Sequence, residues 1–111
     1  MANTIKFTDT VITLTSIDSD WNWYDTITAY ASSKVGVPIQ SIQFRPGATD
    51  DVCIIYNETI GEARLIDVKA ADEYDDKVRY FHGVILKPVL DYSAGKYSAN
   101  SSIIITLGGG R

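Results

Sequence analysis

The sequence predicts an all-β fold: an antiparallel β-sandwich or jelly-roll-like domain of about seven to nine short strands, with little helix. Ile, Val and Thr make up 32 of the 111 residues, against only 5 Leu, and β-branched side chains favour pleated strands over helices. Short apolar runs also alternate with turn residues, the pattern of sandwiches and barrels. At this length we expect one domain, residues 1–111, with a flexible tail at 108–111.

The first third of the chain holds two regions of different character. Ile5 and Phe7 alternate with polar residues, and the Thr- and Ile-rich run 10–17 ends in turn residues, so we expect one or two strands. Residues 20–32 are ambiguous. Asp20 is a suitable helix cap, but Trp, Tyr, Thr and Ile are mediocre helix formers, so we favour a strand over a helix.

The middle of the chain contains two patterns typical of strands. In 39–44, Ile42 and Phe44 alternate with polar residues, as in a half-buried strand, and a Pro-Gly turn follows at 45–50. Residues 52–56 are apolar on both faces. In a small β-domain this indicates either a central strand or a face that another subunit seals.

A hairpin is the clearest single element that the sequence predicts. Residues 57–61 read as its connection, and 62–69 return antiparallel to the strand before it. The acidic run 70–77 then lacks a strand period, so we expect an exposed loop or a single helical turn there.

The last third of the chain returns to strand patterns. An apolar stretch at 78–81 precedes a strand at 84–90, in which Pro88 must lie at an edge, a bulge or an end because it cannot donate a ladder hydrogen bond. A Ser-, Gly- and Tyr-containing loop covers 91–100. The closing strand, 102–107, is again apolar on both faces.

Charge and composition exclude several classes of function. The net charge is −4, and the ten Lys and Arg residues form no basic cluster, so direct nucleic-acid binding is disfavoured. The single Cys53 forms no internal disulfide, and its apolar neighbours predict a buried, inert thiol. We see neither a signal peptide nor an apolar run of ~20 residues that would span a membrane. We therefore expect synthesis in a cytoplasm without export by a cleaved signal.

The chemistry-bearing residues predict no enzyme, no cofactor and no metal site. His82 is the only histidine, which excludes a histidine-rich zinc site, and no Gly-x-Ser-x-Gly nucleophile elbow occurs. The carboxylates lie in segments that we expect to be solvated, and they lack the spacing of a calcium loop. These carboxylates are Asp18, Asp20, Asp50, Asp51, Asp72, Glu73, Asp75 and Asp76.

Aromatic residues are the remaining candidates for binding. On a strand, Trp21 and Trp23 would share one face, where an exposed pair would stack on a sugar ring or anchor a protein interface; the alternative is that at least one belongs to the core. Seven Tyr against three Phe indicate a surface rich in interfaces. The candidate interface or ligand-stacking residues are Trp21, Trp23, Tyr24, Tyr80, Phe81 and Tyr92.

A series of short motifs from Trp21 onward resembles small β-rich virion proteins of tailed bacteriophages. The motifs are Trp21-Asn-Trp23, the segment 39–44 leading into Arg45-Pro-Gly-Ala-x-x-Asp-Asp-Val52, then Tyr80-Phe-His-Gly83, Lys87-Pro88, Leu90-Asp-Tyr92 and the Ile-rich closing strand. The resemblance implies a capsid decoration or a neck or tail accessory protein. It implies no active-site residue, and the long N-terminal arm that often laces such subunits together is absent from this sequence.

From these observations we expect a non-enzymatic virion protein that binds a capsid or tail surface and its other virion proteins. Two strands, 52–56 and 102–107, are apolar on both faces, which predicts homo-oligomerisation, with a trimer as first choice. The alternative is a carbohydrate- or receptor-binding β-sandwich that uses exposed aromatics, with a glycan as its partner.

Overall fold

The computed structural model describes residues 3–8, 10–24, 36–61 and 63–108. These residues form nine strands in two antiparallel sheets, which confirms the predicted all-β sandwich. The strands are β1 (Thr4–Thr8), β2 (Val11–Thr15), β3 (Trp21–Asn22), β4 (Val37–Arg45), β5 (Val52–Asn57), β6 (Arg64–Lys69), β7 (Lys77–Leu86), β8 (Pro88–Leu90) and β9 (Ser102–Leu107).

The larger sheet has five strands in the order β1-β2-β9-β4-β7, so β1 and β7 are its edges. Its inner face is built from rows of β-branched residues. In one row Ile12 of β2 lies opposite Ile105 of β9, which in turn lies opposite Ile42 of β4. These three side chains are fully buried. Isoleucine side chains therefore fill much of the space between the two sheets.

The smaller sheet has four strands in the order β3-β8-β5-β6. The β5–β6 pair is the hairpin that the sequence predicts, with Val52 opposite Lys69 and Ile55 opposite Ile66. On the other side of β5, Ile55 lies opposite Leu90 of β8. β5 is thus a central strand, one of the two alternatives that its apolar pattern allowed.

The expectation of one strand over 84–90 is wrong. Residues up to Leu86 belong to β7 in the larger sheet, and the chain crosses at Lys87 into β8 of the smaller sheet, which begins at Pro88. A proline at the first residue of a strand sacrifices no interior ladder hydrogen bond. The chain crosses from one sheet to the other at this point, so the first part of the apolar run 84–90 belongs to the larger sheet and the last part to the smaller sheet.

Residues 20–32 begin as the sequence leads us to expect, with Trp21 and Asn22 in β3 paired to β8. Trp23 and Tyr24 then have helical backbone. The rest of this ambiguous segment, from 25 onward, lies outside the described residues. The same holds for most of the tail expected at 108–111, since only Gly108 of it is described.

Candidate interaction surface

β5 shows how the chain covers an apolar strand with its own residues. The four residues Cys53 to Tyr56 are all buried, although they point alternately to opposite faces. The loop after β8 runs alongside the start of β5, where Lys96 and Val52 exchange two backbone hydrogen bonds of 2.9 Å. On β6, the guanidinium of Arg64 lies 5.6 Å from the ring centre of Tyr56. The apolar pattern of β5 therefore needs no second subunit to explain it.

Tyr97 anchors the loop that runs beside β5. Its hydroxyl accepts a hydrogen bond from the backbone N–H of Ile54 at 3.1 Å. Its ring meets Phe44 edge-on, with centroids 6.0 Å apart, and stacks against Tyr92 at 5.9 Å. Burial raises the pKa of the Tyr97 hydroxyl, which stays protonated. The sequence gives no signal for the role of Tyr97, because its neighbours are loop residues and its contacts are long-range.

Asp51 ties the 45–51 turn to the same loop. The side chain is fully buried, and its Oδ2 accepts hydrogen bonds from the Ser98 hydroxyl at 2.6 Å and from the Gly47 backbone N–H at 2.9 Å. The expectation that this carboxylate is solvated is therefore wrong. Gly47 passes so close to the loop that an added Cβ would clash with Ser98 Oγ. The physical reason for the burial is that these donors replace water around the charge.

The charge state of Asp51 follows from two opposing causes. Burial by itself raises the pKa of the carboxyl, but hydrogen bonds from the Ser98 hydroxyl and from backbone N–H groups, Gly47 first among them, outweigh it. The net pKa of Asp51 lies below the ordinary 3.8. Asp51 is thus an ionised structural group at neutral pH, and its second oxygen, Oδ1, has no partner among the described residues.

Cys53 and His82 differ in their surroundings. Cys53 is fully buried, which confirms the expected burial of this residue, and burial raises the pKa of its thiol far above the usual range. His82 is exposed, and its ring stacks on Tyr80 with centroids 6.2 Å apart and planes 21° apart. Among the described residues no three His, Cys, Asp or Glu side chains are grouped as metal ligands would be.

The tryptophans do not form an exposed pair. Trp21 is 4% exposed and Trp23 is 5% exposed, and both belong to the hydrophobic core. Trp21 lies opposite Leu90 in the smaller sheet, and Trp23 meets the partly buried Tyr24 edge-on at 5.4 Å. The interpretation of the two indoles as a stacking platform for a sugar is therefore wrong, because their faces are covered by this chain's own residues.

The other aromatic candidates lie in two separate places. Tyr92 is exposed on the loop after β8, where its backbone N–H donates to Asp20 Oδ1 at 2.7 Å. Tyr80 and Phe81 lie on β7. Tyr80 is exposed, whereas Phe81 packs partly against the core beneath the guanidinium of Arg79, 5.2 Å from its ring centre. The structure thus brings Tyr80 and His82 together and leaves Tyr92 apart from them.

β7 carries the main concentration of exposed apolar side chains among the described residues. Val78, Tyr80, Val84 and Ile85 are each 48–59% exposed, and His82 stacks on Tyr80. We call these five residues the β7 surface. Val78 and Tyr80 lie opposite the polar Gln43 and Ser41 of β4, on the outer face of the larger sheet. Val84 lies opposite the fully buried Ile39, so it points to the inner side of this strand, and the β7 surface therefore extends around both sides of β7. Exposed apolar residues grouped in this way are typical of an interaction site.

The backbone of β7 adds to this surface because the strand is an edge. β4 pairs with only one side of β7, so the N–H and C=O groups on the other side have no strand beside them within the described residues. Proteins usually protect such an edge with unpaired charges, short length or a bulge. Here the protection is a bulge: residues 81–83 oppose the single Gln40, and His82 and Gly83 have φ of 56° and 86°.

Comparisons with known proteins identify no relative of this chain. No protein-family model, no curated protein and no solved structure matches it. In addition, none of the described residues lies in an apolar helix long enough to cross a membrane.

Proposed function

We propose that this chain is a non-enzymatic structural protein of a tailed-bacteriophage particle, which self-associates and binds the capsid or tail surface. The resemblance of its motifs to small β-rich virion proteins suggests the particle. The observation that carries the proposal is the β7 surface, where Val78, Tyr80, Val84 and Ile85 are exposed on a strand that pairs on one side only within the described part of the chain. An apolar edge of this kind promotes aggregation of an isolated domain, whereas in an assembly another chain can cover it.

The distribution of charge supports the same role. The net charge is −4, and the acidic residues include the exposed Asp72 and Glu73 in the loop before β7. A protein that coats or joins a particle benefits from an acidic surface, because it is repelled by the packaged nucleic acid. The β7 surface itself contains no acidic residue, so a protein that binds to it does not bury a carboxylate of this surface.

The alternative, a carbohydrate-binding module, has less support. Its strongest candidates were Trp21 and Trp23, and both are buried. Tyr24, Tyr80 and Tyr92 remain as rings with some exposure, but Tyr80 and Tyr92 lie on separate elements. Sugar-stacking sites depend on one or more open aromatic faces. Binding of the chain to a glycan array, abolished by Tyr92→Ala, would favour this alternative.

The test is the composition of purified particles of a phage whose genome encodes this chain. We expect mass spectrometry to detect the chain at a constant ratio to the major capsid protein through successive density gradients. Light scattering after size-exclusion chromatography of the isolated protein should give a mass above 12.2 kDa, the mass of one chain. A strictly monomeric protein that is absent from the particles would contradict the proposal.

A further inference from the structure

We infer that a cavity between the turn after β4 and the loop before β7 binds an arginine side chain of a partner protein. The cavity has a volume of about 300 Å³ and is lined by Gly47, Ala48, Thr49, Asp72, Glu73 and Tyr74. We call it the end cavity, since it lies at the end of the sandwich where β5 and β7 begin. This site is separate from the β7 surface, so it does not depend on the self-association proposed above.

Hydrogen bonds hold both walls of the end cavity in place. On one side, the Asp51 carboxylate accepts the Gly47 N–H at 2.9 Å. On the other side, Asp72 Oδ1 accepts the Tyr74 N–H at 2.8 Å. The two walls are joined, because the Ala70 N–H donates to the Asp51 backbone carbonyl at 2.8 Å. A site that is already ordered loses little conformational entropy when it binds a ligand.

The two carboxylates that line the end cavity have no counter-ion within the chain. Segments 45–51 and 69–77 contain six carboxylates against three cations, so their net charge is −3. The three cations are paired with other carboxylates: Arg45 with Asp76 at 3.4 Å, Lys77 with Asp75 at 3.2 Å and Lys69 with Asp50 at 3.8 Å. Asp72 and Glu73 are exposed and form no ion pair within the described part of the chain. The excess negative charge of this end therefore lies at the cavity.

A buried carboxylate adds to the negative potential of the end cavity. Asp51 is fully buried beside Gly47, and its Oδ1 has no hydrogen-bond partner among the described residues. Water and salt screen a buried charge only weakly, so its field extends into the neighbouring cavity. This field is independent of the exposed Asp72 and Glu73, and it also favours a cation as the ligand.

Tyr74 gives the end cavity an aromatic wall. Its side chain is 84% exposed, so the ring is open to a ligand. A guanidinium is attracted to the face of an aromatic ring, and arginine makes this contact more often than lysine. The described part of the chain itself makes it twice, between Arg64 and Tyr56 at 5.6 Å and between Arg79 and Phe81 at 5.2 Å. A ring beside two carboxylates therefore suits the planar cation of arginine.

The end cavity fits an organic cation better than a metal ion. Metal sites in proteins combine several side-chain ligands, whereas no three His, Cys, Asp or Glu side chains are grouped for this purpose in the described ranges. A volume of about 300 Å³ is that of a small ligand pocket, which has room for a guanidinium and its alkyl stem. Arginine is also enriched among the residues that dominate binding at protein interfaces. The ligand is therefore an exposed arginine of another protein.

The experiment is a titration of the isotope-labelled full chain with N-acetyl-arginine-N-methylamide, followed by NMR. We expect the amide signals of 47–49 and 72–74 to shift saturably, with a dissociation constant on the order of millimolar because the probe is a single residue. The citrulline analogue has the same shape without the charge and should cause no such shift. Equal shifts with citrulline, or saturation of the same signals by calcium chloride at equal concentration, would overturn the inference.

Matched variants test the two kinds of contact. Glu73→Gln removes one charge from the cavity and should weaken binding of the arginine probe by about fivefold. Glu58→Gln removes an exposed carboxylate at the other end of β5 and should leave binding unchanged. Tyr74→Leu should weaken binding by about threefold, whereas Tyr74→Phe keeps the ring and should retain it.

These variants alter exposed side chains, so we expect each to fold, and its NMR spectrum shows whether it does. Equal binding by Glu73→Gln and Glu58→Gln would overturn the end cavity as the site, and so would cavity signals that do not respond to the arginine probe. The virion role is judged separately, by the composition of the particles.

Discussion

β5 and β7 are both rich in apolar residues, but the side chains of β5 are buried within the chain whereas several of those on β7 are exposed. β5 lies between β8 and β6, and the loop after β8 adds backbone and side-chain contacts, so Cys53 to Tyr56 are buried. β7 lies at an edge, and four of its large apolar side chains remain exposed. An apolar strand thus indicates that its side chains will be buried, but it does not indicate whether residues of the same chain or of another chain bury them. The strand whose apolar side chains favour assembly is therefore β7.

The largest expected contrast is between the losses of stability caused by truncating one apolar side chain on β5 and one on β7. Ile55→Ala on β5 should lower the free energy of unfolding by about 2–5 kcal/mol, because it leaves a cavity at a fully buried site. Val84→Ala on β7 should change it by no more than about 0.5 kcal/mol in the monomer, since that side chain is 55% exposed. Denaturant unfolding monitored by circular dichroism measures both. Equal losses would contradict the division into a covered and an open strand.

Asp51 holds the loop after β8, which lies alongside β5. We expect Asp51→Ala to lower the free energy of unfolding by about 2–3 kcal/mol, because the donors on Gly47 and Ser98 lose their charged acceptor while they remain buried. The matched control is Glu73→Ala, an exposed carboxylate for which a change within about 0.5 kcal/mol is expected. Thermal unfolding at neutral pH checks the pair. A small loss in Asp51→Ala would mean that the loop is held without this carboxylate.

The same carboxylate gives the protein an acid-sensitive element. The folded-state pKa of Asp51 lies below the ordinary 3.8, so its contribution to stability is fully present above that value and is lost as the pH falls through the folded-state pKa. We expect the unfolding midpoint of the wild type to drop as the pH is lowered below about 4. In Asp51→Asn this drop should be smaller, since the side chain no longer titrates. An identical acid profile in the two proteins would assign the sensitivity to other groups.

The smallest effect that we predict concerns one hydroxyl. Tyr97→Phe removes the acceptor for the Ile54 N–H and should lower the free energy of unfolding by about 1 kcal/mol. Tyr74→Phe is the control, because Tyr74 is 84% exposed, and it should have no measurable effect. Hydrogen exchange gives a local readout, since the Ile54 amide should lose protection in Tyr97→Phe alone. Unchanged protection would indicate that the loop covers β5 by packing rather than by this bond.

The sequence predicted those features that depend on neighbouring residues. The alternation in 39–44 placed Ile42 and Phe44 inward, and both are fully buried in β4. The apolar run 52–56 and its return strand form the expected β5–β6 hairpin. Pattern and turn chemistry act over a few residues, so they are visible in the chain before any long-range contact is known.

The candidate site was predicted less well. The sequence singles out Tyr80 and Phe81 as aromatics, but it gives no role to Val78 in the apolar stretch 78–81 or to Val84 and Ile85 in the expected strand 84–90. Their exposure depends on β7 being an edge, which follows from pairing with β4 some 40 residues earlier in the chain. A signal was present in retrospect, because the run from Lys77 to Leu86 contains no acidic residue while an acidic loop precedes it.

The β class, the positions of most strands and the burial of Cys53 follow from the sequence, since β-branched composition, period and local polarity indicate them. The tertiary structure alone decided that Asp51 and both tryptophans are buried, that 84–90 divides between two sheets, and that β7 rather than β5 is left open. The physical reason is that burial depends on which segments become neighbours. Long-range strand pairing determines that, and no local pattern records it.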